Sequence, residues 1–394
     1  MAITMNNWIL VLNAGSSSLK FALVDAITGD SGFEGLAERL GNTDAVITIK
    51  SNGNKSESKI ADGKMASAIA MVMSALPADT VPAAIGHRVV HGGEKFRQSV
   101  VIDDSVKAGI KDCAKLAPLH NLANLEGIEA AQQAFPNLPQ VAVFDTAFHS
   151  QLEPQVYQYA IPQSLYRDHH IRRYGMHGTS HQYVGEQAAI ALGQDFNNIQ
   201  IITAHLGNGC SASAIRNGHS VDTTMGMTPL EGLVMGTRSG DVDPGIILWL
   251  AQQQGMDGDQ LSDLLNKKSG LLGLSELTND CRGIEEAAAE GHAGAKLALD
   301  VFCFRLARTI SALTVGLDRL DALIFTGGIG ENSELIRARV TEQLSIFKLA
   351  INETANADRK RSNPNIAQPG TTPVLVINTN EEYMIAKQTL SLCQ

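Results

Sequence analysis

The sequence predicts an α/β protein with a duplicated fold, in which two domains flank an active-site cleft. Residues 8–25 form two β-rich runs on either side of a turn of small residues at 15–18. Residues 199–224 repeat this scheme around a glycine-rich turn at 205–209. Strand and helix patterns mix in both halves, which is typical of two-domain α/β folds that bind a ligand in a cleft.

The remaining elements follow from the spacing of apolar residues. Residues three and four apart recur as apolar in several segments, which predicts helices at 65–76, 103–116, 122–135 and 292–317 and a last helix from Asn380. Short apolar runs predict strands at 83–86, 140–144, 322–326 and 373–377. The segment 327–332, GGIGEN, is predicted to be a turn between a strand and a helix.

The length and the prolines predict where the chain divides. A chain of 394 residues is expected to form two domains. Pro154 and Pro162 interrupt the pattern after Phe148, so we place the boundary there, with domains at 1–148 and 149–382.

The composition excludes several classes of protein. The net charge of -10 disfavours binding to nucleic acid or to an anionic membrane surface. No apolar run reaches the roughly 20 residues of a membrane span, and the first residues lack a basic signal region, so we expect a cytoplasmic protein. Five cysteines without CxxC spacing indicate buried thiols rather than a disulfide framework or a zinc site.

Three glycine-rich turns, each after a predicted strand, are candidates for phosphate binding. The first, NAGSSSLK at 13–20, offers backbone amides, hydroxyls and one ammonium group. The others are HLGNG at 205–209 and GGIGEN at 327–332. No P-loop motif is present, so the pattern indicates a different nucleotide fold. For any one of these segments, an ordinary turn remains the alternative.

Four charged or titratable side chains in glycine-rich or strand-end positions are candidates for catalysis. Arg88 and Arg238 are suited to clamp a carboxylate or a phosphoryl group, although a solvated surface arginine is the alternative for each. His177 could donate to developing negative charge or be a structural histidine. Asp145 follows a strand, where reactive groups are common, but could be a helix cap.

Two carboxylates begin the last predicted helix. Glu381 and Glu382 could simply complement the helix dipole. One of them could instead organise Mg²⁺ through water.

Nine motifs together resemble the acetate kinase family, in that family's order and across nearly the entire chain. They are NAGSSSLK, HRVVHGG, LAPLHN, FDTAFH, RRYG-HGTSH, HLGNG, GTRSGDVDP, GGIGEN and TNEE. The resemblance implies the RNase H-like (actin-like ATPase) fold, with the C-terminal helix at about 383–394 completing the first domain. It implies that ATP phosphorylates acetate reversibly by direct in-line transfer with Mg²⁺ or Mn²⁺, giving acetyl phosphate and ADP. It also implies a homodimer, with nucleotide binding and dimerisation in the second domain.

The resemblance also assigns the site residues. Residues at the transferring phosphoryl would be Asp145, His177 and Arg238. Residues that contact acetate would be Arg88 at the carboxylate and Val90, Leu119, Met176 and Pro229 at the methyl group. Residues that hold ATP would be Ser16, Ser18, Lys20, His205, Leu206, Gly207, Asn208, Gly209, Asp280, Cys281, Arg282, Gly328, Ile329, Gly330, Glu331 and Asn332. The metal site would involve Asn13 and Glu381.

The chemistry refines one role, and two positions depart from the family pattern. Acetate is already ionised at neutral pH, so no general base is needed and Asp145 is expected mainly to orient Arg or His groups. The family usually has phenylalanine at Met176 and proline at Leu122. Methionine fills an apolar wall flexibly, which affects chain-length selectivity more than activity. Val90 is the residue typical of acetate selectivity in the family.

Three alternatives remain open at this level. A propionate or butyrate kinase would share the chemistry with a longer acyl chain. An actin-like or Hsp70-like ATPase would use the nucleotide for assembly or partner binding, and would leave Arg88 and Arg238 without a purpose. A catalytically silent relative is disfavoured because each charged position of the family is present.

Overall fold

The computed structural model describes residues 7–51, 53–77 and 80–394, with the backbone alone for Pro118 and Leu119. Two compact units are present, each described here by itself. The N-terminal unit contains the chain up to Ser150 together with Asn380–Gln394, and the C-terminal unit is Gln151–Thr379. Within the described residues, no helix is both long enough and apolar enough to cross a membrane.

The strands, in chain order, are β1 (Trp8–Ala14), β2 (Ser18–Asp25), β3 (Ser31–Glu38), β4 (Val46–Ser51), β5 (Asn54–Lys59), β6 (Ala84–Val89), β7 (Val100–Val101), β8 (Gln140–Phe144), β9 (Gln200–Leu206), β10 (Cys210–Arg216), β11 (His219–Thr223), β12 (Ala322–Thr326) and β13 (Val374–Val376). The helices are α1 (Met65–Ala75), α2 (Asp104–Cys113), α3 (Pro118–Ala134), α4 (Pro154–Tyr157), α5 (Gln163–His169), α6 (Gly178–Leu192), α7 (Pro244–Gln254), α8 (Gly258–Lys267), α9 (Gly270–Ser275), α10 (Cys281–Ala289), α11 (Ala293–Leu313), α12 (Gly327–Asn332), α13 (Glu334–Gln343), α14 (Glu353–Ala357) and α15 (Glu381–Cys393).

The two units share the topology of five sheet strands. The N-terminal sheet has the order β5-β4-β3-β2-β1-β6-β8-β7, and the C-terminal sheet has the order β11-β10-β9-β12-β13. In both, three antiparallel strands precede two parallel ones, so β3-β2-β1-β6-β8 corresponds to β11-β10-β9-β12-β13. The predicted duplicated α/β fold is therefore confirmed.

Side-chain alternation explains why β1 is the centre of the N-terminal sheet. Successive residues of a strand point to opposite faces. Ile9 and Val11 pack with Ile385 of α15. Leu10 and Leu12 pack on the other face, in a cluster that includes α1 and α3 residues. A strand covered by helices on both faces is apolar at nearly every position, as WILVLNA is.

One predicted local structure is wrong, and its reason is visible. Residues 327–332 form the helix α12 rather than a turn. Gly327 adopts φ +76°, and a Cβ there would lie 2.8–3.0 Å from the backbone of Leu206. The Glu331 side chain accepts the Gly327 N–H at 3.0 Å. A single glycine therefore makes the turn, and the other residues continue as helix.

Candidate active site

Three neighbouring strands of the N-terminal unit end in polar side chains that contact one another. Asn13 lies near the end of β1, Arg88 near the end of β6, and Asp145 directly after β8. Arg88 Nε lies 3.0 and 3.1 Å from the two Asp145 oxygens, and Nη2 lies 2.5 Å from Oδ2. Arg88 Nη1 donates to Asn13 Oδ1 at 3.3 Å. The carboxyl ends of parallel strands thus bring these three residues together.

Burial sets the electrostatics of this ion pair. The Asp145 side chain is almost completely buried, whereas the Arg88 side chain remains 22% exposed. Burial raises the pKa of Asp145, Arg88 opposes the rise, and the Glu381 carboxylate adds to it. For Arg88, burial acts to lower the pKa, but the Asp145 and Glu381 carboxylates outweigh it and the net shift is upward. Arg88 is therefore a permanent cation whose side chain is partly exposed.

Buried amides and a hydroxyl hold the loop after Arg88 in place. Asn124 accepts the Val90 N–H at 3.0 Å and donates to the Ala14 carbonyl at 2.6 Å. Asn121 accepts the N–H of the next residue along the loop, at 3.1 Å. Thr146 accepts the Gly92 N–H at 3.0 Å. Val90 is buried, and the Leu119 side chain lies outside the described residues.

The first hairpin turn follows β1. The Gly15 amide donates to the Ser18 carbonyl at 2.8 Å, which closes the turn. Ser16 is exposed and Ser18 is half-buried. Lys20 forms an ion pair with Glu382 from the first turn of α15, so its ammonium group lies beside the acidic start of that helix.

In the C-terminal unit, His177 immediately precedes α6 with a left-handed backbone, φ +58°. Its Nδ1 lies 2.9 Å from Ser211 Oγ, and its ring stacks on His205 with 4.3 Å between centroids. A non-glycine residue in this backbone region is strained, and such strain persists only where the surroundings fix it. The structure therefore holds the His177 ring in a defined position.

Arg238 and Gly209 lie next to this histidine. A Cβ on Gly209 would lie 3.3 Å from Arg238 Nη1 and 3.5 Å from His177 Cε1. Arg238 Nη1 donates to the Pro229 carbonyl at 3.2 Å. Burial lowers the pKa of Arg238, and the neighbouring Cys210 acts in the opposite direction. An arginine nevertheless stays charged at any physiological pH. Gly209, His177 and Arg238 thus converge on one small region.

A cavity of about 580 Å³ lies entirely within the C-terminal unit. Eight residues predicted to hold ATP line it: Gly207, Asn208, Asp280, Cys281, Arg282, Gly328, Ile329 and Asn332. Asn279 donates to Asn208 Oδ1 at 3.0 Å, which ties the turn after β9 to the segment before α10. The cavity has the size and the mixed polar and apolar lining of a small-molecule site.

The comparison with protein families shows which family the chain belongs to. The model of the acetokinase family matches residues 8–387. The chain belongs to the acetokinase family. An acetate kinase of Shewanella loihica is 56% identical, over 98% of this chain and 99% of its own.

Two solved structures are similar to this acetokinase over nearly their whole length. A propionate kinase from Francisella tularensis is 44% identical, with a TM-score of 0.93, over 98% of this chain and 99% of its own. An acetate kinase from Porphyromonas gingivalis is 40% identical, with a TM-score of 0.94, over 98% of this chain and 100% of its own. These two structures share the duplicated fold described above.

Several assigned ATP residues of this acetokinase do not line the cavity. His205 and Leu206 end β9, and Gly209 lies beside Arg238 and His177. Gly330 is buried, and the Glu331 carboxylate accepts the N–H groups of Gly327 and Thr379, each at 3.0 Å.

Four cavity residues were not predicted: Asn279, Glu285, Ser333 and Arg359. Glu285 follows Cys281 by one helical turn and hydrogen-bonds Ser333, so helical spacing could have identified it. Arg359 lies outside every motif, and no sequence signal marks it.

Met176 and Pro229, assigned to the acetate methyl group, lie in different surroundings. Met176 is buried in the hydrophobic core of the C-terminal unit. Pro229 is half-buried, and its carbonyl accepts from Arg238. Their assignment stays a prediction.

The oxygen atoms of the N-terminal unit fit a hard cation. Asn13 presents an amide oxygen, and the Glu381 carboxylate lies close enough to act on both Arg88 and Asp145. In the described residues, no group of three or more His, Cys, Asp or Glu side chains could hold a metal ion alone. Mg²⁺ usually takes one or two protein carboxylates and completes its shell with water and substrate phosphates. Asn13 and Glu381 are donors of this kind.

Proposed function

We propose that this protein is an acetate kinase, which transfers the γ-phosphoryl group of ATP to acetate and gives acetyl phosphate and ADP, in both directions. The observation that carries the proposal is the Arg88–Asp145 ion pair at the ends of β6 and β8. A buried carboxylate fixes Arg88 through Nε and Nη2, while the Arg88 side chain stays partly exposed. An arginine held in this way is suited to bind a carboxylate of fixed orientation.

The reaction requires positive charge rather than a base. A carboxylate oxygen of acetate forms a bond to the γ-phosphorus as the bond from that phosphorus to the ADP oxygen breaks. Acetate loses no proton, so Asp145 has no proton to take and serves to orient Arg88. In the loose transition state, charge lies on the transferring oxygens. Arg88, Arg238 and His177 are proposed to stabilise it.

The nucleotide is proposed to occupy the 580 Å³ cavity of the C-terminal unit. Asp280, Cys281 and Arg282 at the start of α10, with Gly328 to Asn332 of α12, would contact the adenosine. Residues 205–209 would contact the phosphates, because glycine-rich backbone after a strand presents amide groups closely. Ser16, Ser18 and Lys20 of the first hairpin are proposed to lie near the phosphates as well.

Asn13 and Glu381 would hold Mg²⁺ or Mn²⁺. When bound, the cation supplies charge that neutralises the phosphate oxygens. Asn13 Oδ1 already accepts from Arg88, so this amide would orient the guanidinium whether or not a cation is present.

Propionate is the second candidate substrate, because the similar Francisella tularensis structure is titled a propionate kinase. Val90, Leu119, Met176 and Pro229 are proposed to contact the acyl chain. One methylene in an apolar site changes kcat/KM by roughly 10 to 200-fold. We therefore expect propionate to react more slowly than acetate, without being excluded.

The test is acyl-phosphate formation from Mg-ATP, trapped as the hydroxamate, with acetate and with propionate. The natural chain is compared with Arg88→Ala and with Arg39→Ala, which removes an exposed arginine paired with Asp44. Acetate-dependent product that disappears only in Arg88→Ala supports the proposal. Faster reaction with propionate changes the assignment to a propionate kinase. ATP hydrolysis that ignores both acids would indicate an actin-like ATPase and refute the proposal.

We extend the proposal to a cytoplasmic homodimer. Helix α7 has no buried residue within the chain, and it exposes Ile246, Leu248 and Trp249. Apolar side chains clustered in this way are typical of protein interfaces. All five cysteines are free thiols, as is common in the reducing cytoplasm.

Sedimentation equilibrium tests the dimer. We expect the mass of two chains for the natural protein and of one chain for Trp249→Glu. Ile190→Glu removes another exposed apolar residue, outside α7, and is expected to stay dimeric. A monomeric natural protein would exclude the dimer and leave the kinase proposal untouched.

A further inference from the structure

A chain of buried hydrogen bonds leads from His177 into the C-terminal unit. His177 Nδ1 lies 2.9 Å from Ser211 Oγ, which lies 2.8 Å from His181 Nε2. His181 Nδ1 lies 2.7 Å from Thr203 Oγ1, and Thr203 donates to the Ser213 carbonyl at 3.4 Å. Ser211, His181 and Thr203 are completely buried. Hydrogen bonds in such surroundings are strong and their direction matters.

The direction of the chain follows from counting protons. Each hydroxyl has one proton, and a neutral imidazole has one donor and one acceptor nitrogen. Since Thr203 donates to a carbonyl, it must accept the Nδ1–H of His181. The Nε2 lone pair of His181 then accepts the Ser211 proton. Ser211 can therefore only accept from His177, whose Nδ1 must carry a proton.

We propose that Ser211 and His181 are positioning residues that fix the tautomer of His177. Nδ1 of His177 then carries a proton in both protonation states of the ring, and Nε2 carries one only when the ring is cationic. This inference rests on the proposed phosphoryl transfer for its consequence, but the tautomer itself can be measured without substrate.

The fixed tautomer matters because of what lies near Nε2. A Cβ on Gly209 would lie 3.6 Å from His177 Nε2 and 3.3 Å from Arg238 Nη1, so Nε2 faces the region that Arg238 shares. A neutral ring has no proton on Nε2 and cannot donate to phosphoryl oxygens there. A cationic ring donates Nε2–H and stabilises their charge. We call the hydrogen-bonded series Thr203, His181, Ser211 and His177 the relay. Because of the relay, His177 can donate from Nε2 only when its ring is cationic.

Three other titratable or charged groups lie near His177 in the described contacts. His181 lies in the first turn and a half of α6, the helix that follows His177, and His205 of β9 stacks on the ring. Arg238 comes from the loop after β11, and Cys210, which begins β10, lies close enough to act on Arg238. Burial raises the pKa of Cys210 to about 12, so this thiol stays neutral. Arg238 opposes protonation of His177, whereas Ser211 supports it by accepting from Nδ1.

The first test is ¹⁵N NMR of histidine-labelled protein, with His177 assigned by the signals lost in His177→Gln. We expect the neutral His177 ring of the natural chain to be protonated at Nδ1, the minor tautomer of free histidine. In Ser211→Ala, the proton should move to Nε2. Ser220→Ala removes a buried hydroxyl from β11, outside the relay, and should leave the tautomer unchanged. A natural chain with Nε2–H on the neutral ring would overturn the inference.

The second test is the pH profile of kcat. In the natural chain, kcat should fall as the pH rises through the pKa of His177, because the neutral ring cannot donate from Nε2. At pH values below that pKa, where both rings can donate from Nε2, Ser211→Ala should lower kcat by about 10 to 100-fold with KM values nearly unchanged, because the ring is no longer held in position. Its alkaline fall should disappear, because its neutral ring can hold the proton on Nε2. A lower kcat with an unchanged profile would indicate a merely structural role and overturn the inference.

A conservative substitution of His181 distinguishes a positioning role from a general loss of folding. His181→Ala should behave like Ser211→Ala, whereas the amide oxygen of His181→Gln can accept the Ser211 proton and should restore the alkaline fall. Failure of His181→Gln to restore it, with the fold intact by circular dichroism, would overturn the role of His181. A protein that forms no acyl phosphate but shows the Nδ1–H tautomer would refute the proposed function while supporting the relay.

Discussion

The N-terminal and C-terminal units share a five-strand sheet order but carry different chemistry at corresponding strand ends. In the N-terminal unit, β1, β6 and β8 lead to Asn13, Arg88 and Asp145, a buried ion pair with an amide. In the C-terminal unit, β9 ends with a stacked histidine and β12 leads into glycines. Duplication thus fixes where side chains are presented, and the residues after each strand determine what they do.

The two arginines make the difference concrete. Arg88 pairs with a carboxylate that is almost completely buried. Among the described contacts, Arg238 donates to the Pro229 carbonyl and to Met235 Sδ, which are neutral acceptors. Removing Arg88 therefore leaves a buried charge without its partner, whereas removing Arg238 does not.

The largest expected effect is the loss of activity when either arginine is removed. The two variants should differ in how much stability they lose. Arg88→Ala and Arg238→Ala should each lower kcat by about 10³-fold or more, as expected for an arginine at a transferring phosphoryl group. Arg88→Ala should also lower the free energy of unfolding by about 3 to 5 kcal/mol. Arg238→Ala should lower it by about 1 kcal/mol. Hydroxamate assays and urea titrations measure the two effects.

The control is Asp145→Ala combined with Arg88→Ala, which removes both charges. Stability should largely return in this double variant while activity stays lost. Equal destabilisation by the two single variants would contradict the contrast between the units.

Some of this arrangement could be predicted from the sequence, and the reason is burial. The strands at 140–144 and 322–326 were predicted with their observed bounds, because central parallel strands are apolar at each position. The strand Asn54–Lys59 was not predicted, because each of its residues is exposed and none is apolar. Glycine turns and strand-end charges identified Arg88, Asp145 and Arg238, since these signals are local.

Contacts between distant segments could not be predicted. Asn124 joins the Ala14 carbonyl to the Val90 amide across 110 and 34 residues of chain. Ser211 and His181 approach each other only because α6 packs against β9 and β10 pairs with β9. The sequence around Asn124, Ser211 or His181 does not indicate which residue each one contacts, because those contacts depend on the fold.

The next effect concerns the acid stability of the N-terminal unit. His87 of β6 is buried and hydrogen-bonds Gln140 at 2.7 Å. Burial lowers its pKa from 6.5 to about 4, against the opposing hydrogen bond with Gln140. The folded state therefore binds fewer protons than the unfolded state, and stability falls as the pH drops from 6.5 towards 4. At about 1.4 kcal/mol per pH unit, the loss approaches ~3 kcal/mol.

Trp8 lies in β1 and Trp249 in α7, so Trp249→Phe leaves a fluorophore in the N-terminal unit alone. The free energy of unfolding measured by this fluorescence should fall as the pH drops from 6.5 to 4. His87→Asn should reduce the loss, and the exposed His219→Asn should not. If His87→Asn lost as much stability between pH 6.5 and 4 as the natural chain, the loss would come from other titratable groups.

A smaller effect is expected on nucleotide affinity, in the C-terminal unit only. Asn208→Ala removes the acceptor of Asn279 at the cavity wall. One lost hydrogen bond of about 1 kcal/mol should weaken ADP binding by about fivefold, measured by calorimetry. The KM for acetate should hardly change, because Asn208 is assigned to ATP. Asn266→Ala removes a similar exposed hydrogen bond away from the cavity and serves as control. A larger change in the acetate KM would contradict the division of roles.

The smallest effect compares the glycines of the two corresponding turns. A Cβ on Gly209 would press on Arg238 Nη1 at 3.3 Å, whereas one on Gly15 would meet Ser18 Oγ at 3.1 Å, a hydroxyl of its own turn that can rotate. Displacements of a few tenths of an ångström near reacting groups should lower kcat by about two- to fivefold in Gly209→Ala. Gly15→Ala should cost less, and Gly258→Ala, which has open space around it, should cost nothing. A greater loss in Gly15→Ala than in Gly209→Ala would place the more crowded reacting groups in the N-terminal unit and reverse the comparison.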